Sequence, residues 1–256
     1  MKPTDSAGQY LYCLLRSPTP REFLTKGMGE RGDRVHTVHF REMAAVVSDS
    51  PLAEYESNRR HMLAHTAVLE EVMKSFSILP VRFNTVGPDE ATVREKLLRR
   101  RYGELLGLLD EMAGKVEMGL KALWYEGVAI QEIVEQNPDI RRLRDALQGQ
   151  PPEKTHFDRV RLGEMVEAAL YRKRNEEAEA ILARLRPIVS QTRTNKEITD
   201  RMIVNAAFLV TREREADLDR AVQELDREMG KRVLFKYVGP APPYNFVNVV
   251  VSWEEG

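Results

Sequence analysis

The closing residues Tyr237–Gly256 read YVGPAPPYNFVNVVVSWEEG and hold the strongest clue to the fold. In this stretch Pro240, Pro242 and Pro243 separate two runs of strand-forming residues. Proline cannot donate to a sheet ladder, it fixes its own φ, and it restricts the residue before it. A stiff corner followed by Val247–Val251, the most strand-like run of the chain, therefore requires either a chemical or an architectural explanation.

The composition indicates a folded, nearly neutral protein. The chain has 256 residues, of which 42% are hydrophobic and 31% charged, and its formal net charge is -1. This balance predicts no bulk attraction to nucleic acid or to an anionic membrane. The single cysteine, Cys13, excludes an internal disulfide and a cysteine-based zinc site. Because the sequence has no signal peptide and no apolar stretch near the roughly 18 residues of a membrane span, we expect a soluble, cytoplasmic protein.

The first half of the chain alternates short strands and helices. Apolar runs and period-two alternation predict strands, whereas a three-four apolar spacing predicts a helix. The predicted elements are a strand, helical turns, a two-stranded hairpin, a helix and a strand: Gln9–Leu15, Arg21–Lys26, Val35–Phe40 with Met43–Ser48, Glu54–Phe76, and Ile78–Phe83. This β-α-β-β-α-β order is that of a ferredoxin-like domain.

The second half predicts another sheet with helices. A long helix from Pro88 to Met112 is expected to bridge the two halves. After it the pattern predicts β-α-β-α-β with extra helices behind the first strand. The predicted strands are Val116–Trp124, Val204–Val210, Val233–Val238 and Phe246–Trp253, and the predicted helices are Val128–Gln136, Ile140–Gln148 and Glu213–Met229, with one long or two abutting helices over Val160–Val189. The predicted fold class is α+β, with an N-terminal domain at residues 1–113 and a C-terminal domain at residues 114–256.

Two motifs suggest nucleotide or base chemistry, and both lack the context they need. Gly27–Gly32 reads GMGERG, but a dinucleotide-binding G-x-G-x-x-G turn follows a strand and opens a helix. Here helical turns are predicted before it and a strand after it, so we expect a flexible loop. Base amino-methyltransferases place Asn, Asp or Ser before their Pro-Pro-Tyr, where the polar side chain accepts from the flipped base. Ala241 stands there in this chain and cannot accept a hydrogen bond.

No metal site or catalytic group is expected. His61 and His65 are four residues apart on a predicted helix, which is a metal-ligand spacing. Met62 stands in the place of the catalytic Glu of H-E-x-x-H, and two histidines do not complete a ligand set. His65 also falls on the apolar stripe, which favours a packing histidine. No serine or cysteine nucleophile has a base at a recognisable spacing. The sequence therefore predicts no catalytic residue, no metal and no cofactor.

Two segments carry a resemblance: Leu79–Val86 reads LPVRFNTV, and Gly239–Phe246 reads GPAPPYNF. They are similar to the L-P-hydrophobic-R-F-G-T-hydrophobic run and the G-P-x-P-P-Y-x-F ending of the gas vesicle accessory proteins of the GvpF/GvpL family. Shorter similarities at Tyr10–Tyr12, Ala45–Ser48 and Lys115–Glu117 extend the resemblance over nearly the whole chain. Asn84 replaces the family's usual Gly, but Asn also tolerates a left-handed backbone.

This resemblance implies a non-enzymatic role in building gas vesicles, the gas-filled flotation organelles that give some prokaryotes buoyancy. It implies two modified ferredoxin-like domains, the second with inserted helices, and contact with the small hydrophobic shell protein during nucleation or growth, with other accessory proteins as further partners. The expected location is the gas vesicle in the cytoplasm. The family-motif residues, structural or interacting, are Pro80, Arg82, Phe83, Gly239, Pro240, Pro242, Pro243, Tyr244 and Phe246.

Several questions stay open at the level of sequence. We expect the Pro-Pro-Tyr segment to be a rigid corner, with Tyr244 and Phe246 on the core and Val247–Val251 paired in a sheet. Shell contact is expected at a free strand edge or in a groove of the amphipathic helices. Arg82 is expected either in an internal salt bridge or against an acid of a partner. The runner-up function is a ferredoxin-like enzyme acting on nucleotides or nucleic acid, and a ligand-sensing regulatory module is a third possibility.

Overall fold

The structure is a computed structural model that describes residues 7–28 and 33–253 of the chain. The chain forms two compact units. The first unit contains the residues up to Glu117 and those from Pro240 onward, and the second contains Met118–Gly239. The closing segment, which we had assigned to the C-terminal domain, therefore belongs to the first unit. A domain boundary at residue 113 stays a prediction.

The first unit is built on one sheet, whose order is β2-β3-β4-β1-β5, with the short β6 also paired to β1. All of these pairings are antiparallel. The strands are β1 (Ala7–Arg16), β2 (Glu22–Lys26), β3 (Arg34–Phe40), β4 (Met43–Pro51), β5 (Ile78–Pro80) and β6 (Val86–Gly87). The apolar run Tyr10–Leu15 is fully buried, as expected of a central strand that is covered on both faces.

Helices complete the first unit. The helix α1 (Arg59–Met73) begins at Asn58, whose side chain accepts a hydrogen bond from the N–H of His61, as N-cap residues do. Its buried stripe is His65, Val68, Leu69, Val72 and Met73. The predicted bridging helix begins as α2 (Glu90–Thr92), continues as a π-helical segment, Val93–Arg99, and ends as α3 (Tyr102–Met112).

The second unit carries a four-stranded sheet with the order β10-β7-β9-β8. Its strands are β7 (Lys115–Trp124), β8 (Gln191–Thr194), β9 (Met202–Thr211) and β10 (Val233–Ala241). Three helices follow β7 before the next strand, as the sequence predicts, and one helix lies between β9 and β10. They are α4 (Val128–Gln136), α5 (Pro138–Leu147), α6 (His156–Leu185) and α7 (Glu215–Met229). None of the helices in the described part of the chain is both long and apolar enough to cross a membrane.

A charged network joins α4 and α6 to the turn before β10. Arg232 donates to Glu132 at 2.7 Å and to Glu177 at 2.7 Å. Lys173 lies 2.7 Å from Glu132 and 3.1 Å from Glu177. The buried indole of Trp124 donates to Glu177 as well, at 2.8 Å. The hydrogen bond from the Arg232 guanidinium lowers the pKa of Glu132 to about 2, although the partial burial of this carboxyl group acts to raise it.

The structure corrects two predicted elements and adds a polar strand. Arg21–Lys26 contains the edge strand β2 and no helical turns, so the first unit does not show the β-α-β-β-α-β order, and the ferredoxin-like detail is not confirmed. The strand β8 was not predicted. Phe246–Trp253 is not a strand: Val249 alone pairs, in a parallel bridge with Val81. The described fold is a mixed helix-and-sheet protein with two sheets. The loop predicted at Gly27–Gly32 lies partly outside the described residues.

We expect Arg232→Met to lower the free energy of unfolding by roughly 1–3 kcal/mol, because the half-buried carboxylates of Glu132 and Glu177 would then have Lys173 as their one shared cation in the network. The matched control is Arg184→Met. It removes the more exposed pair with Glu228 and should cost clearly less. Urea unfolding at pH 7 measures both variants, and equal losses would contradict a stabilising network.

Candidate functional site

The Pro-Pro-Tyr segment forms a tight turn built on proline carbonyls. The N–H of Tyr244 donates to Pro242 O at 2.7 Å, and the N–H groups of Phe246 and Val247 donate to Pro243 O at 3.0 and 2.9 Å. Pro242 and Pro243 are buried. Since proline offers a carbonyl but no N–H, these two residues can accept the turn's hydrogen bonds without leaving buried donors unpaired.

A buried carboxylate holds this turn in the first unit. Glu117 is 7% exposed. One of its oxygens accepts from the backbone N–H of Asn245 at 2.8 Å, and the other accepts from the Asn245 side-chain amide at 2.6 Å. Burial raises the pKa of Glu117, and the two hydrogen bonds from Asn245 oppose that rise. A buried carboxylate is costly unless it is hydrogen-bonded, so Glu117 and Asn245 each need the other.

Tyr244 continues the same attachment through a buried histidine. Its hydroxyl lies 3.1 Å from Nε2 of His65, and Nδ1 of His65 lies 3.0 Å from the hydroxyl of Tyr10. The Tyr10 hydroxyl also accepts from the N–H of Asn84 at 3.0 Å. Because each tyrosine hydroxyl can both donate and accept, both ring nitrogens of a neutral His65 have a hydrogen-bond partner in this chain.

Aromatic rings surround His65 and keep water from it. The ring of Tyr12 stacks on His65 with centroids 5.6 Å apart, and Phe83 meets it edge-on at 5.8 Å. His65 is 1% exposed. This burial lowers the pKa of His65 to about 4, because the charged form loses its hydration. The same burial raises the pKa of Tyr10, and it raises that of Tyr12 to about 12.

The first motif segment, Leu79–Val86, lies directly against this cluster. Pro80 ends β5 opposite Cys13 of β1, and the N–H of Val81 donates to Tyr12 O at 3.0 Å. Asn84 adopts a φ of 68°, so the left-handed backbone expected at this position is confirmed. Its side-chain oxygen accepts from the N–H of Tyr55 at 2.7 Å, a bond that the family's usual glycine cannot make.

Several motif residues face solvent. Tyr244 is 45% exposed, so its ring lies only partly on the core where it was expected. Arg82 is exposed, and among residues 7–28 and 33–253 no carboxylate pairs with it, so the internal salt bridge considered for it is not found there. Gly239, with a φ of 140°, and the exposed Pro240 lie near the end of β10. Phe246 is half-buried after the turn. All of the motif residues except Gly239 belong to the first unit.

Cations of the α2–α3 region hold the remainder of the closing segment. Arg101 donates to the carbonyl of Val250 at 2.7 Å, and Lys96 donates to that of Trp253 at 3.0 Å. A Cβ at Gly87 would lie 3.1 Å from the Trp253 ring, so glycine permits this close approach. Beside Trp253 lies an open cavity of about 410 Å³ that Asn84, Val86 and Val251 also line.

Sequence reasoning missed the residues that make these attachments. Tyr10, Glu117 and Asn245 form the attachment through contacts between residues far apart in sequence, for which no local pattern exists. His65 was correctly expected to be a packing histidine. Within the described residues, no group of three or more His, Cys, Asp or Glu side chains could hold a metal ion. The arrangement fixes the closing backbone segment in place.

Comparison with solved structures identifies the class of this fold. The crystal structure of the gas vesicle protein GvpF from Anabaena sp. PCC7120 superposes with a TM-score of 0.84 over 96% of this chain and 100% of that chain, at 24% identity. The fold is therefore that of a gas vesicle protein.

Sequence comparison gives the family. The family model "Gas vesicle synthesis protein GvpL/GvpF" matches residues 8–248. The Gas vesicle protein F of Dolichospermum flosaquae is 28% identical over 94% of this chain and 97% of its own length. That of Streptomyces sp. (strain CB03234) is 31% identical over 93% of this chain and 98% of its own. The chain belongs to the GvpL/GvpF family of gas vesicle proteins, which indicates an accessory role in gas vesicles.

We expect His65 to make the protein less stable as the pH falls from about 6.5 to about 4. The unfolded chain protonates this histidine near pH 6.5, whereas the folded protein does so near pH 4. Acidification through this window therefore favours the unfolded state by up to roughly 3 kcal/mol.

The measurement is urea unfolding at several pH values for the parent and for His65→Gln, which cannot titrate there. The parent's stability relative to the variant should fall between pH 7 and pH 4. His61→Gln, at a more exposed position of the same helix, is the control and should follow the parent. A constant difference between the parent and His65→Gln would show that His65 is not held neutral.

We expect Tyr244→Ala to lower the free energy of unfolding by about 1–2 kcal/mol, because the ring covers part of the first unit's core. Tyr244→Phe keeps the ring and loses only the hydrogen bond to His65, so its loss should be about 0.5–1 kcal/mol. Urea unfolding at pH 7 measures both. If Tyr244→Ala unfolds no more easily than the parent, the Pro-Pro-Tyr corner is not a stabilising element.

Proposed function

We propose that this protein is a non-enzymatic accessory factor that contacts the gas vesicle shell protein during vesicle nucleation or growth. The observation that carries the proposal is the family match over residues 8–248. It is supported by relatives that are named as gas vesicle proteins and that match this chain over almost their whole length. The place of action is then the gas vesicle, and other accessory proteins are further partners.

The family resemblance implies a shell protein that is small and hydrophobic, and such a subunit needs an accessory factor for a physical reason. A small, apolar, aggregation-prone subunit must have its apolar surface covered, or its free strand edges paired, until it joins the wall. Folded proteins can supply either a sheet edge for strand addition or a helix face. Both are available in this chain, since its two sheets have edge strands and α6 exposes apolar side chains such as Phe157.

Arg82 supports direct contact with a partner. It lies in the family-motif segment Leu79–Val86, yet its side chain is exposed and has no carboxylate partner in the described part of the chain. Its neighbours Val81 and Phe83 pack into the first unit and fix its backbone. An arginine presented in this way can bind a carboxylate with two parallel hydrogen bonds. We therefore include Arg82 in the contact, opposite an acidic group of the partner.

Co-purification with the shell protein, expressed in a host that lacks the other vesicle genes, tests the proposal. We expect a soluble complex with the parent protein. Arg82→Glu should weaken it about fivefold, the size of one exposed charge pair. The matched control is Arg99→Glu, which reverses an exposed charge outside the motif segments and should leave binding unchanged. A folded parent that forms no complex would refute direct shell contact and favour action through other accessory proteins.

A further inference from the structure

The four sheet edges of this protein are not equally open to a partner strand. An edge strand presents unpaired N–H and C=O groups that can template another strand. At the β2 edge, the carboxylate of Glu71 already accepts from the N–H groups of Leu24 and Thr25, at 2.8 and 2.7 Å. Burial acts to raise the pKa of Glu71, but these hydrogen bonds hold it below its usual value. The carboxylate therefore occupies this edge.

The opposite edge of the first sheet is also covered. There β5 has only three residues and leads into Val81, which pairs in parallel with Val249 of the closing segment. That segment is held by Glu117, Arg101 and Lys96, as described above. A partner strand could reach this edge only by displacing a segment with several independent attachments.

In the second sheet, the β8 edge is short and polar. It has four residues, Gln191–Thr194, and three of them are exposed. Its sequence, Gln-Thr-Arg-Thr, contains no long apolar side chain. Short, charged edge strands of this kind are a common protection against unwanted pairing. This edge offers a partner little area and no apolar contact.

The β10 edge differs from the other three in length, exposure and surroundings. The strand has nine residues and pairs on one side with β7, which leaves its other side as the end of the described sheet. On one face of β10, Leu234, Lys236 and Val238 are exposed, Val238 at 64%. A lysine stem can lie along apolar surface while its ammonium stays in water, so this face offers a continuous apolar stripe.

The other face of β10 borders a groove against α7 with an apolar floor and an acidic rim. The groove has a volume of about 450 Å³. Met118, Val222 and Phe235 supply its apolar lining, and Glu215, Asp219 and Asp226 supply its carboxylates. The hydroxyl of Tyr237 donates to Asp219 at 2.8 Å, so this tyrosine holds one carboxylate in place. No basic side chain lines this groove in the described structure.

We propose that the outer edge of β10 binds an extended partner segment in which apolar and basic residues alternate. Successive side chains of a strand point to opposite faces. The partner's apolar residues would then pack on Leu234 and Val238, and its basic residues would reach Glu215, Asp219 and Asp226. The inference rests on the proposed function in one respect: the segment is taken to belong to the gas vesicle shell protein.

Charge favours a foreign strand over a second copy of this chain. Two β10 edges paired with each other would bring two acidic grooves together, and like charges across a contact oppose association. A basic partner removes that repulsion and makes the contact sensitive to salt. The alternating pattern also sets the register, since a slip by one residue would place apolar side chains on the carboxylates and lysines on the apolar stripe.

Two probes and four variants test the inference. The first probe is a synthetic octapeptide of alternating Val and Lys, compared with a peptide of the same composition in two blocks. The second is the co-expressed shell protein. Val238→Lys removes the apolar stripe, and Glu215→Gln and Asp226→Asn each remove one charge from the rim. Thr194→Lys makes the matched change on the β8 edge.

We expect the alternating peptide to bind at least tenfold more tightly than the block peptide and to protect β10 amides from hydrogen exchange. Val238→Lys should weaken both probes about tenfold. Each charge-neutralising variant should weaken them two- to fivefold and reduce their salt dependence, whereas Thr194→Lys should bind like the parent. Thermal unfolding of the four variants confirms that each one is folded.

The outcomes separate the inference from the proposed function. If the shell protein binds, but Val238→Lys binds it as tightly as the parent and β10 amides stay unprotected, the β10 inference is wrong and the proposed function stands. If the alternating peptide binds at β10 but the shell protein does not bind, the proposed function is wrong. The β10 edge is then still a binding site for a segment of alternating apolar and basic residues. If neither peptide prefers β10, the edge is not a binding site.

Discussion

The hydrogen-bonded pair of Glu117 and Asn245 is the constraint on which the first unit depends. The carboxylate lies near the start of β7, where the chain leaves the first unit, and Asn245 lies just after β10, where the chain has returned. A buried carboxylate without donors would be strongly unfavourable, and Asn245 supplies two. The turn at Pro242 and Pro243 aims both donors at one side chain. Pairing by Val249, the core contact of Tyr244 and the bonds to Arg101 and Lys96 all need the segment to start from this point.

The strand-like run Val247–Val251 was expected to pair in a sheet. In the structure buried Val247 and Val249 alternate with exposed Asn248 and Val250, yet the segment forms one bridge and no ladder. The reason is that a hydrophobic pattern reports which face meets a core, whereas strand pairing depends on which backbone lies alongside. The prolines likewise predicted a corner, but nothing local indicates that its partner is Glu117.

The mispredicted strands show how tertiary contacts override propensity. Glu22–Lys26 contains helix-favouring Glu, Leu and Lys, but β3 pairs with it and the carboxylate of Glu71 binds its N–H groups. The polar strand β8 lacks the alternation of apolar and polar residues that predicts a strand, and it is a strand because its backbone pairs with β9. By contrast, α1 and α7 were predicted well because their apolar stripes repeat over several turns. His65 was placed in the core by that stripe, although its hydroxyl partners, Tyr10 and Tyr244, come from distant parts of the sequence.

The family-motif residues divide into two physical groups, and this division limits how the protein can act. Phe83 and Tyr244 contact the buried His65 of the first unit, Pro80 pairs in β5, and Pro242 and Pro243 accept the hydrogen bonds of the closing turn. Glu71 covers the β2 edge of the first sheet, so its backbone groups are largely committed. What remains for a partner in the first unit is side-chain chemistry, above all at Arg82. In the second unit β10 ends the described sheet and has an acidic groove beside it. A protein organised in this way would bind by charge at one place and by backbone pairing at another, and each contact could be removed without unfolding the other.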